Sequence, residues 1–175
     1  MYEKGKPLEA AIINALQIIG FKARPYKDAT SEFDVVFESS EGRLIGEAEG
    51  KDTKAVNVDK LRQLSMNIHE DLLREEITSQ AKGVLFGNGY RLQAVETREV
   101  AFTDKCVSAA LTSSTALIAT ADLYKAAQYL SAKFDSDFAA LCRDKMLSGV
   151  GITMLPNPPI EEIEPQPDKT GEEHQ

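Results

Sequence analysis

The chain has 175 residues, a formal net charge of −8, 42% apolar and 27% charged side chains, two cysteines and no tryptophan. That length suits one domain with a real core, and no apolar run approaches the roughly 18 residues that a membrane span needs. Cys106 and Cys142 stand alone with no Cys-x-x-Cys spacing, which argues against a zinc site or a disulfide scaffold, and the first six residues lack the apolar core of a secretory signal, so a reducing cytoplasm is the expected location.

Pro7 fits the opening of a helix. Leu8, Ala11, Ile12, Ala15, Leu16 and Ile19 then recur at helical spacing until Gly20 ends the run. Three β-type segments follow at 21–26, 33–37 and 43–49. The second and third flank a polar turn ending in Gly42, which predicts a hairpin. Val58, Leu61, Leu64, Ile68, Leu72 and Leu73 mark a second amphipathic helix. Beyond it the pattern predicts a buried strand at 82–87 closed by an Asn88-Gly89 turn, a helix at 104–111, a strand at 115–119, and helices at 122–133 and 136–147. The fold class is therefore α/β, a mixed sheet flanked by helices, occupying residues 1–155. Residues 156–175 hold five of the seven prolines and a net charge of −5, leaving −3 for the rest; this is read as a disordered acidic tail.

The chemistry gathers on the hairpin. Alternation along a strand puts Glu47 and Glu49 on one face, with Lys51 next if the strand continues. Asp34 lies on the partner strand, and Glu32 would share its face. Carboxylates that close repel unless a cation sits among them. Hard oxygen donors suit Mg²⁺ or Mn²⁺, which can hold a water and a phosphodiester together for hydrolysis. The small residues Gly46, Ala48 and Gly50 between the acids would let a ligand approach. The same pattern also describes an ordinary polar face of a hairpin.

A helix opening on Leu8-Glu9, then Glu32-Phe33-Asp34-Val35-Val36, then Gly46-Glu47-Ala48-Glu49-Gly50-Lys51, then a helix carrying Gln63, resembles the PD-(D/E)xK superfamily over residues 7–130. This is the fold of restriction endonucleases and of many repair and defence nucleases. The resemblance implies a restriction endonuclease-like sheet and a Mg²⁺- or Mn²⁺-dependent nuclease, with DNA before RNA as substrate. It implies Asp34 and Glu47 as metal ligands, Glu9 on the first helix in support, and Gln63 orienting near the site. The family has Lys two positions after the second acid; this chain has Glu49 there. Glu49 would be a further ligand or the base, and Lys51, displaced by two, would reach the same space. Lys51, Lys54, Lys60 and Arg62 form a basic stretch suited to contacting substrate phosphate, or simply a solvated face. The rival reading is a catalytically inactive module of the same fold that binds nucleic acid or protein, and a homodimer is a further implied partner.

Other sites are poorly signalled. Gly87-Asn88-Gly89 lacks the third glycine of a dinucleotide fingerprint, and no Gly-x-Ser-x-Gly anchors a hydrolase triad. His69 is a single helix-surface histidine, Cys106 a core residue, and Asp59 a helix cap.

Overall fold

Helix α1 (Lys6–Ile18) begins on Pro7 and ends at Gly20, whose φ of 99° only glycine adopts readily. The Gly20 N–H donates to the Gln17 carbonyl and the Phe21 N–H to that of Leu16, which satisfies two of the last orphan acceptors. The computed structural model describes residues 2–27 and 31–159. Residues 160–175, most of the expected acidic tail, lie outside that range.

The core is a mixed sheet of six strands in chain order. Strands β1 (Lys22–Lys27), β2 (Glu32–Ser39) and β3 (Gly42–Gly50) form the antiparallel meander expected from the alternation and the turn at Gly42. Strands β4 (Lys82–Asn88), β5 (Ala116–Ala119) and β6 (Gly151–Ile152) continue it in parallel from β3. Parallel neighbours require crossovers, and helices supply them. These are α2 (Asp59–Leu72) between β3 and β4, α3 (Asp104–Thr112) between β4 and β5, and α4 (Thr120–Ala132) with α5 (Ser136–Ser148) between β5 and β6. No helix among the described residues is long and apolar enough to cross a membrane.

Strand alternation divides the core into two layers. Val35, Phe37, Leu44, Val84, Phe86 and Ile118 point to α1, α4 and α5, whereas Val36, Ile45, Leu85 and Leu117 point to α2 and α3. Gly46 belongs to the first layer. A Cβ there would stand 2.7 Å from Val35 Cγ1 and 2.9 Å from Phe86 Cε2. Gly46 and Ala48 thus make room for core side chains on the opposite face, whereas Gly50 lies against Lys4 and the Glu3 carbonyl and lines an open groove. Gly46→Ala is expected to cost about 1–2 kcal/mol by overpacking, read as a lower urea midpoint with an unchanged slope.

Two local expectations are corrected. Asp59 does not cap α2: Val58 holds that position, Asn57 Oδ1 accepts the Asp59 N–H, and Asp59 pairs with Arg62. Asn88 is not a turn tip. It is the buried last residue of β4, donating to the Glu3 carbonyl and accepting from Arg98, while Tyr90 carries the positive φ. Strand β6 was not foreseen; two residues are below what periodicity resolves.

Candidate functional site

The site rests on an irregularity in β2. Arg24 pairs with Val36 but Tyr26 pairs with Phe33, so three residues of β2 span two of β1. This bulge puts Phe33 and Val36 in the same core layer despite their odd spacing. The β2–β3 ladder closes at Val35 opposite Gly46, and just beyond it Asp34 Oδ2 accepts the Ala48 N–H at 2.9 Å. The Asp34 carboxylate thus stands beside Glu47, on the face that carries Ile45 and Val36. Glu32, on the far side of the bulge, does not share that face as simple alternation implied. It pairs instead with Lys27 and with Lys6 of α1.

Helix α2 lies along β3 on this face. Arg43, Ile45, Glu47 and Glu49 alternate toward it, and each polar member finds a partner. Leu61, Leu64 and Ile68 pack on the apolar layer around Ile45. Asp71, fully buried, accepts from Arg43 at 2.6 Å. Glu47, also fully buried, receives two donors from the helix: Asn67 Nδ2 reaches Oε1 at 2.7 Å and Lys60 Nζ reaches Oε2 at 3.0 Å. The same ammonium is 3.9 Å from Asp34 Oδ2 and donates to Gln63 Oε1 at 3.0 Å.

The electrostatics follow from that packing. Burial, and then the adjacent Asp34 charge, push the Glu47 carboxyl up to about 7, while Lys60 pulls it back. Burial works against the Lys60 ammonium, yet Glu47, Asp34 and Glu49 outweigh it and hold its pKa above the ordinary lysine value. Two carboxylates and one ammonium therefore share a notch in which Glu47 is wholly buried while Asp34 and Lys60 remain partly open to water.

The sequence-predicted residues divide accordingly. Asp34, Glu47, Lys60 and Gln63 come together. The Lys60 ammonium, expected on a phosphate-contacting rim, stands between the two acids as their counter-ion. Glu49 is turned to Lys51, whose Nζ lies 2.6 Å from Glu49 Oε1. Those two side chains, with Lys4, Asp52 and Lys54, line an open groove of about 420 Å³ beside the notch. Glu9 stays with α1 in the other layer and accepts from Lys6 at 2.8 Å. Among the described residues no group of three or more His, Cys, Asp or Glu side chains is arranged to hold a metal. The three-carboxylate convergence expected from the hairpin is thus a pair, Asp34 and Glu47.

Asn67 was missed. Its signal was available: Lys60, Gln63 and Asn67 repeat at helical spacing, and a polar stripe on the buried side of an amphipathic helix needs polar partners. Comparison with protein-family models, with curated proteins and with solved structures finds no match to this chain.

Proposed function

We propose that this chain is a metal-dependent phosphodiesterase on a restriction endonuclease-like scaffold, cleaving nucleic acid, with DNA before RNA. The observation that carries the reading is the placement of Asp34 and Glu47 side by side on neighbouring strands, one carboxylate wholly buried, with an ammonium 3.0 and 3.9 Å away. Burying like charges is costly unless a cation compensates them, so a notch of this kind is an arrangement for holding positive charge. The order helix, antiparallel meander, helix, parallel strand supports the scaffold.

The donor set fits Mg²⁺ or Mn²⁺, which take one or two protein carboxylates and keep several waters. Asp34 and Glu47 would hold the ion, which supplies Lewis acidity and a more acidic bound water. The chain's own residues prepare this. The Ala48 N–H fixes one oxygen of Asp34, and Asn67 fixes one oxygen of Glu47. Glu49, next on the same face and paired with Lys51, would take the proton of the attacking water once released from that pair. Lys60 would leave the carboxylates for the phosphate, where its charge offsets the one developing as the new P–O bond forms and the ester bond breaks. Lys51 and Lys54 in the adjoining groove would position the backbone of the substrate.

One observation favours the inactive-module reading: the Lys60 ammonium already fills the cation position. Calorimetric titration with Mn²⁺ separates the two. The wild type is expected to bind one ion, Asp34→Ala none, and Mn²⁺ is expected to switch on cleavage of plasmid or single-stranded substrate. A wild type that neither binds Mn²⁺ nor cleaves would leave Lys60 as a permanent counter-ion and the chain a binding module.

A further inference from the structure

The two edges of the sheet are built differently. The outer strand β1 reads Lys22-Ala23-Arg24-Pro25-Tyr26-Lys27, with three cations and a proline along an exposed edge. Those are the devices that stop a sheet from accepting another strand. At the other edge, no charged residue occurs between positions 146 and 159. Along β6 and its continuation, Val150, Ile152 and Met154 are 41%, 51% and 67% exposed, while Gly151, Thr153 and Leu155 are buried. The Gly151 and Thr153 N–H groups donate inward to Thr115 and Leu117. Parallel ladder geometry then turns the Ile152 N–H and carbonyl outward. Leu111 of α3, itself 56% exposed, packs beside Gly151, and a groove of about 440 Å³ adjoins the strand, lined by Phe102, Ile152 and Met154 and also by Arg98, Glu99 and Asp122.

We infer that this edge pairs with the same edge of a second copy of the chain. Antiparallel pairing about a twofold axis through Ile152 sets Ile152 opposite Ile152 and Val150 opposite Met154. Every such pair is apolar, and the uncharged stretch brings no like charges together. With the axis perpendicular to the sheet, the exposed stripes of both copies lie on one face and cover each other. The Ile152 main-chain groups of each copy satisfy those of the other. Pairing through β1 would instead oppose Lys22, Arg24 and Lys27 to their own copies, and Pro25 has no N–H to give. The inference is independent of the phosphodiesterase reading.

Analytical ultracentrifugation of the full chain over a dilution series tests it, with Ile152→Lys as the variant. The wild type is expected to sediment as a dimer, and Ile152→Lys to weaken association at least about tenfold, with its far-UV circular dichroism unchanged. Cross-linking tests the register and serves even if the lysine variant folds poorly. Opposed Cα atoms in such a pair stand about 5.5 Å apart, within disulfide reach, so Ile152→Cys is expected to form a covalent dimer under mild oxidation. Val150→Cys is not, because its copies would lie about 13 Å apart. The native thiols Cys106 and Cys142 are buried and do not compete. A monomeric wild type, a dimer indifferent to Ile152→Lys, or Val150→Cys cross-linking as fast as Ile152→Cys would overturn the proposal. So would a wild type that stays monomeric yet captures a synthetic strand-forming peptide at this edge, since the occupant would then be foreign.

Discussion

Glu47→Gln is expected to reduce Mn²⁺-dependent hydrolysis by about a thousandfold or more while making the folded protein more stable above neutral pH. The first half follows from losing one of two carboxylates that would hold the ion, a loss of several kcal/mol of transition-state stabilisation. The second follows from linkage. The Glu47 carboxyl stands near 7 in the folded chain against an ordinary value of 4.5, so between those two pH values the folded state binds more protons than the unfolded one. Its contribution to stability is fully present below pH 4.5 and is lost as pH rises through 7, a decline of roughly 3 kcal/mol from this group. Glutamine keeps the shape and removes the titration. Urea unfolding from pH 4 to pH 8 is expected to show this decline in the wild type and a flatter profile in the variant. The variant should be about 1–2 kcal/mol more stable at pH 8, because some gain is offset by Lys60 losing a partner. A variant with the wild-type pH slope would show that Glu47 is ionised without penalty.

Lys60→Ala should act in the opposite sense. Removing the ammonium leaves the buried Glu47 beside Asp34 with only Asn67 and the Ala48 N–H to compensate them, and breaking a buried pair on one side costs about 3 kcal/mol at pH 8. At pH 5.5 the deficit should shrink, since Glu47 then takes up a proton. The informative measurement is the thermal midpoint with and without millimolar Mn²⁺. With the ammonium gone, the ion meets no competitor, so Mn²⁺ should raise the midpoint of Lys60→Ala more than that of the wild type. Equal stability of variant and wild type at pH 8 would mean that Lys60 does not neutralise the notch.

The elements that the sequence disclosed are those whose cause is local. Helix α1 was readable from Pro7 to Gly20 because both ends are fixed by backbone chemistry of those two residues. The β2–β3 hairpin was readable because its alternation and its turn agree. What was hidden depends on residues distant in the chain. The extra residue in β2 leaves no mark in Glu32-Phe33-Asp34-Val35-Val36, yet it moves Glu32 to the α1 side and decides which acids meet. Lys60 looked like part of a solvated basic run with Lys51 and Lys54, since only the docking of α2 along β3 brings its ammonium to Glu47. Asn88-Gly89 has the composition of a turn, but Arg98 and the Glu3 carbonyl claim the asparagine side chain and draw it inside. Local pattern thus located the acids, and tertiary packing set their partners.

The cations and proline along β1 have a consequence for how far any association can go. Joining two sheets through β6 consumes the one receptive margin of each molecule and leaves a β1 strand at both outer limits of the joined sheet. Among the described residues neither limit would offer a place for a third molecule, so growth by this pairing would end at two.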